Sequence, residues 1–345
     1  MSNDIPPTLG VLRYLSDRDR AILVALLEHK VLLTRQIKTL FFGSQRRCQA
    51  CLLDLAKQGL IRCFTPRGWY SKGKPPCHWT LRERGVLVTA AIKRTSLWEL
   101  SWKPASEDAR LAHRLAVNAF FCALVEASLD NDGHGLHSWT PERMVKLPDG
   151  WIRPDGSGRY LYPGGACDFY FELDRGTETV NQLADKLAGY IAVAKNWTEQ
   201  GPVGFPNLLI LVPDFSRERA VAKALSEARG RFKASRRLSD LPFYVSSEDL
   251  LYERGILAPV WARLPGLKER LSISELPAQT GIDYSLSDCL GRRWADKANA
   301  RRRLPLPRYS AGRPPMGDPG SLRPRSVTPP RYERGSGKQT RDEEQ

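Results

Sequence analysis

No apolar run in this 345-residue chain approaches the roughly 20 residues of a membrane-spanning helix. The opening Met1-Ser2-Asn3-Asp4-Ile5-Pro6-Pro7 lacks the basic-then-apolar order of a secretory signal. The chain is therefore expected in the cytoplasm, without a membrane partner. No glycine-rich phosphate loop occurs, which argues against an ATPase, and there is no internal repeat. Cysteine is sparse: seven residues, odd in number and scattered, do not make the disulfide framework of a small secreted domain. Cys48-x-x-Cys51, Cys63 and Cys77-His78 invite a zinc reading. Cys48 and Cys51, however, fall at core-facing positions of a helical pattern without a glycine-bearing knuckle, so no zinc is expected.

Positive charge is in excess. Lys and Arg number 53 against 38 Asp and Glu, a formal net charge of +15, and a polyanion such as nucleic acid is the inferred partner. More than half of that excess lies beyond residue 291, where 14 Lys and Arg face 6 Asp and Glu. Residues 288–345 are rich in Arg and Pro and poor in large apolar side chains, so this tail is expected to be disordered. Arg301-Arg302-Arg303 and its neighbours are expected to touch phosphates without sequence preference.

Residues 15–92 read as a small domain of helices followed by a hairpin. Ser16 can cap a helix reaching Glu28, a second helix starts at Thr34, and Ser44 can cap a third that Gly59 ends. Residues 60–64 and 78–81 read as strands around a basic, aromatic turn, and a further helix runs to Ile92. Three helices and then a basic hairpin is the order of a winged helix, whose third helix enters the major groove. Gln45, Arg46, Arg47, Gln49 and Lys57 lie off the apolar stripe of that helix and are the expected base and phosphate contacts. Arg67, Lys72 and Lys74 are the expected contacts of the wing. A linker at 93–105 leads to a long helix within 106–129. There His113 lies beside the apolar stripe, as a core-edge histidine or a proton carrier, and Asn118 lies off it.

The most chemically loaded stretch follows. Residues 168–174 alternate polar and apolar, the period of a strand. Asp168, Tyr170, Glu172 and Asp174 share one face; Phe169, Phe171 and Leu173 share the other. Pro163-Gly164-Gly165 can turn the chain between two strands, which brings Asp155 beside Glu172. A helix over 177–196, with Thr177 at its cap, carries Glu178, Gln182, Lys186 and Tyr190 as one stripe facing Glu172. Two acids and a lysine in one notch suit Mg²⁺ or Mn²⁺ and a phosphodiester. Hard oxygen donors hold the ion, and the lysine offsets charge on the phosphate. The bland alternative is a strand with solvated acids and a salt-bridged lysine. The rest of the unit, a strand at 207–212, a helix at 216–228, a strand at 243–245 and a helix from Ser247, makes the class α/β.

Pro154-Asp155, an interval, then Glu172-x-Asp174 resembles the PD-(D/E)xK motif of restriction-endonuclease-like nucleases, with Asp174 where the motif has lysine. Lys186 on the next helix stands in for that lysine, and Lys186-x-x-x-Tyr190 resembles the Q-x-x-x-Y motif of the exonuclease branch. The phrase Phe171-Glu-Leu-Asp-Arg-Gly-Thr-Glu-Thr179, with His113-Arg-Leu-Ala-Val-Asn118 upstream, resembles the replication-relaxation family, over about residues 15–260. The family is similar to plasmid mobilisation relaxases of restriction-endonuclease fold. The resemblance implies a winged helix at 15–92 and a nuclease-like domain at 106–265. It implies a double-stranded DNA partner from plasmid or mobile-element replication or mobilisation. It also implies catalytic Asp155, Glu172, Asp174 and Lys186, with a Mg²⁺ or Mn²⁺ ion on Asp155, Glu172 and Glu142. Two functions follow from it: a metal-dependent DNA-nicking endonuclease, or a non-catalytic DNA-binding regulator with a degenerate nuclease domain, which the Asp at the lysine position favours. A protein-interaction scaffold is the third reading.

Overall fold

A computed structural model describes residues 10–66, 75–96, 109–147, 152–200, 204–232, 241–278 and 289–292, with Trp102 and Pro104. The expected wing residues Arg67, Lys72 and Lys74, most of the linker, and the tail beyond 292 lie outside the described residues.

The N-terminal unit holds helices α1 (Asp17–His29), α2 (Thr34–Phe41), α3 (Gln45–Lys57) and α4 (Glu83–Lys93). Its small sheet runs β1 (Leu32–Leu33), β3 (His78–Leu81), β2 (Ile61–Phe64) in space, with both pairings antiparallel. Ser16 caps α1 in a reciprocal box with Asp19. Gly59 leaves α3 at φ +72°, a conformation that suits glycine. One expectation changes here. No disulfide framework was expected, yet Cys63 and Cys77 form a disulfide with their Cα atoms 5.5 Å apart, because the hairpin brings the end of β2 against the approach to β3. Cys48 is fully buried inside α3, as its spacing implied.

The second unit is a mixed α/β layer. Helix α5 (Leu111–Leu129) precedes strands β4 (Gly135–Pro141), β5 (Gly156–Tyr162) and β6 (Gly165–Leu173). Then come α6 (Val180–Gln200), β7 (Asn207–Val212), α7 (Phe215–Gly230), β8 (Phe243–Ser247), α8 (Glu248–Arg254), β9 (Trp261–Arg263) and β10 (Arg270–Leu271). The strands form one sheet in the order β10-β9-β8-β7-β6-β5-β4. β6, β7 and β8 run parallel, joined by α6 and α7, while the flanking pairs are antiparallel. β9 and β10 were not legible as strands: each is too short to show a period.

Strand β6 is covered on both faces, not half-buried as its alternation suggested. Phe169, Phe171 and Leu173 meet α5, where Phe120 stacks on Phe171 with centroids 3.9 Å apart. Tyr170 meets the opposite layer with Leu183, Leu187 and Ile191 of α6. The aromatic layer sits this close because Gly158 has no side chain: a Cβ there would lie 2.5 Å from Phe169 Cζ. On the other face Gly189 lets α6 settle on Ile152, since a Cβ would lie 1.9 Å from its Cδ1. That contact fixes the segment leading into Asp155.

The two units share one continuous apolar core. Arg143 donates to the carbonyls of Leu27 and Glu28 at the end of α1. Asn118, expected off the buried stripe, is 2% exposed and donates to the carbonyl of Val31 at 2.7 Å. Its amide satisfies backbone at the junction, which is why a polar residue is buried there. Ile273 and Leu276 join the core, Cys289 is fully buried, and Arg292 donates to the carbonyls of Ser128, Asn131 and His134.

Candidate active site

Asp155 directly precedes β5, whose Gly156 pairs with Phe171, so register sets Asp155 opposite Glu172. Its Oδ2 accepts from the backbone N–H of Leu173 at 2.9 Å, and its Oδ1 lies 2.7 Å from His113 Nε2. Arg110 reaches the same Oδ1 at 3.4 Å and Glu142 Oε1 at 2.7 Å. Burial raises the Asp155 carboxyl, but the His113 hydrogen bond, the charges of His113 and Lys186 and the Leu173 amide outweigh it. The net effect holds it below its ordinary range.

Glu172 points from β6 toward α6. Lys186 Nζ lies 2.6 Å from its Oε2, and the Tyr190 hydroxyl donates to its Oε1. The spacing of Lys186 and Tyr190 puts both on the helix face that overlooks the strand. Burial pushes Glu172 up to about 8; Lys186 works against that, while the charge of Asp155 adds to it. Lys186 is itself held above its ordinary value, because Glu172 and Asp155 together outweigh its desolvation. Tyr190 is 1% exposed and well above its ordinary pKa, through burial and then the charge of Glu172.

Asp174 stands at the end of the same strand but turns to a different partner. Arg217 at the start of α7 grips it twice, at 2.5 and 3.0 Å, and the Gly176 N–H donates to it at 2.8 Å. The helix cap also differs from expectation: Thr179, not Thr177, makes the reciprocal box, with Gln182. Gln182 is thus used in capping, and the stripe facing Glu172 reduces to Lys186 and Tyr190. Asp168 pairs with Arg159 across β5 and β6, away from this cluster. Sequence reasoning missed Arg110 and Arg217 as partners. The i, i+3 spacing of Arg110 and His113 on one helix face was the available signal for the first; nothing in the sequence marked the second.

The PD-(D/E)xK resemblance implies a divalent cation, and the residues fit a limited version of one. Asp155 and Glu172 supply hard oxygen donors, and Mg²⁺ is commonly held by one or two carboxylates with water completing its shell. Glu172 Oε2 is buried, and its partner is the Lys186 ammonium at 2.6 Å. Among the described residues no three Asp, Glu, His or Cys side chains form a ready cage. Arg110 bridges Glu142 and Asp155.

On α3, Gln45, Arg46, Arg47, Gln49 and Lys57 are all exposed. No helix among the described residues is long and apolar enough to cross a membrane.

The described chain is thus a mixed α/β protein with an acid–lysine cluster at the edge where β5 and β6 meet α6. More than half of it, residues 23–209, matches the replication-relaxation family, and the chain belongs to that family. The matched segment carries Arg110, His113, Asp155, Glu172 and Lys186. No curated protein matches it. Two solved structures are similar: restriction endonuclease FokI bound to DNA, at 14% identity over 74% of this chain and 46% of that one, with a TM-score of 0.24; and FokI, at 14% identity over 68% and 43%, with a TM-score of 0.23. This chain spans less than half the length of either, and at such scores the likeness carries no argument.

Proposed function

We propose that this protein binds double-stranded DNA in plasmid or mobile-element replication or mobilisation, and that its second unit nicks that DNA with Mg²⁺ or Mn²⁺. The observation that carries this reading is the meeting of Asp155, Glu172 and Lys186 from two strands and a helix. The N-terminal unit, read as a winged helix, presents α3 to the major groove. Asp155 and Glu172 hold the cation. The bound ion supplies Lewis acidity and an activated water. His113 and the Leu173 amide fix the Asp155 carboxylate, and Lys186 offsets charge developing on the phosphate. Tyr190, buried and bonded to Glu172, supports the cluster and is sealed from attack on DNA.

One observation favours a second reading, a non-catalytic DNA-binding regulator. Asp174 occupies the motif's lysine position and is bound by Arg217, and each acid of the cluster already faces a protein cation. Relaxation of supercoiled plasmid in Mn²⁺ separates the two. The nicking reading expects relaxation by the wild type and none by Asp155→Ala with Glu172→Ala. Equal behaviour of the two chains leaves the regulator. DNA affinity that is indifferent to salt removes both, since phosphate contacts require a steep loss as salt rises.

A further inference from the structure

Arg110 lies just before α5, with its side chain half exposed at 52%. Its guanidinium spans two acids, Glu142 and Asp155, at 2.7 and 3.4 Å. The backbone brings those acids together, because the Glu142 N–H donates to the Asp155 carbonyl at 3.1 Å. Arg110 closes over their side chains from the solvent side. His113, one turn along, holds Asp155 independently at 2.7 Å. Removing Arg110 from the pair therefore leaves Asp155 in place.

A guanidinium fork recognises carboxylate and phosphate with the same paired geometry, and an arginine this exposed at the rim of the proposed nicking site is open to a phosphodiester from solvent. We propose that Arg110 is a carboxylate-to-phosphate switch: a DNA backbone phosphate draws it from Glu142 and Asp155, and the uncovered carboxylates then accept a divalent cation. This rests on the cation-binding reading of the site and adds an order to it, DNA before metal. Without DNA the arginine occupies the acids and the centre takes metal weakly. With DNA the two ligands strengthen each other, and by linkage each raises the affinity of the other by the same factor.

The test uses the full chain. Mn²⁺ binding is followed by electron paramagnetic resonance of the free ion, without DNA and with a saturating duplex, for the wild type and Arg110→Gln. The affinity of each for a mixed-sequence DNA duplex is then measured by fluorescence anisotropy, with and without Mn²⁺ at matched ionic strength. Arg110→Gln is expected to bind Mn²⁺ roughly tenfold more tightly than the wild type in the absence of DNA, within the usual range of coupling energies. Mn²⁺ is expected to raise the wild-type affinity for duplex by a similar, roughly tenfold factor, and that of Arg110→Gln by less than about twofold. Equal Mn²⁺ affinities of the two chains overturn the switch and leave the cation site standing. Absence of Mn²⁺ binding in both chains, with or without duplex, overturns the switch together with the cation site. Should Arg110→Gln fail to melt cooperatively, Arg110→Met, which keeps the apolar stem and removes the charge, is judged on the same titrations by the same outcomes.

Discussion

Lys186 Nζ lies 2.6 Å from Glu172 Oε2, across the gap between α6 and the end of β6. Strand position 174, where the PD-(D/E)xK motif that this stretch resembles has a lysine, holds an acid bound to Arg217. The amine therefore reaches the candidate centre from the helix, and the strand keeps only the carboxylate. The arrangement works because α6 packs closely through Gly189 and places Lys186 one turn before Tyr190, so that both meet the same glutamate.

Stability should depend on pH through Glu172. Burial is the leading cause that lifts its carboxyl from an ordinary 4.5 to about 8. The folded chain then binds this proton more tightly than the unfolded chain. The contribution is fully present below about pH 4.5 and is lost as pH rises toward 8. Urea unfolding of the wild type and Glu172→Gln from pH 5 to 8 isolates it. The wild type is expected to lose stability relative to the variant by up to about 1.4 kcal/mol per pH unit. A difference that stays flat across this window removes the raised carboxyl.

Above about pH 8, where Glu172 is ionised, Lys186→Met leaves its carboxylate buried beside Asp155 without its cation. Because Lys186 is about one-third exposed, at 34%, the expected loss is about 1–3 kcal/mol rather than the full cost of breaking a buried pair. Adding Glu172→Gln should return part of that loss, since the uncompensated acid is then gone. Chemical denaturation of the two single variants and the double variant reads the coupling. Strict additivity means that the pair does not act as one.

Arg217 and Asp174 are more deeply enclosed, with side chains 14% and 4% exposed. Arg217→Met should cost about 3–5 kcal/mol, because it strands a buried carboxylate. Asp174→Asn combined with Arg217→Met should recover much of it. The same pair assigns Asp174 a role. If it serves to tie β6 to α7, Asp174→Asn leaves the Mn²⁺ affinity of the full chain unchanged. A clear fall in that affinity would instead restore Asp174 as a ligand.

Much of this was legible in the sequence, where local rules decide. The helix starts at Asp17, Thr34 and Gln45, the glycine exit at residue 59 and the two faces of β6 follow from caps, breakers and periodicity. The meeting of Asp155 with Glu172 was legible as well, since one hairpin turn sets the register of β5 on β6. What was hidden depends on packing between distant segments. Asn118 looked like a solvent residue because its partner, the carbonyl of Val31, belongs to another unit. Arg217 gave no sign of reaching Asp174, since the contact exists only after α7 crosses back over the sheet. His113 was read first as a core-edge histidine; only the fold places its ring on the Asp155 carboxylate.

Helix α3 supplies the last expectation. Gln45, Arg46, Gln49 and Lys57 are exposed on it, while Cys48, Leu52 and Leu55 are buried beneath. In the DNA-binding reading, Arg46 and Lys57 meet phosphates or base edges and the glutamines read bases. A lysine on the backbone contributes affinity whatever the sequence. Lys57→Ala should therefore weaken binding to all duplexes alike and reduce the slope of log affinity against log salt by about one. Gln49→Ala should leave that slope alone and relax the preference among sequences, at about 1–3 kcal/mol for a well-formed base contact. Anisotropy titrations of a randomised duplex pool, from low to moderate salt, report both. Variants with the wild-type slope and the wild-type preference would move the DNA surface off α3 and onto another face of the protein.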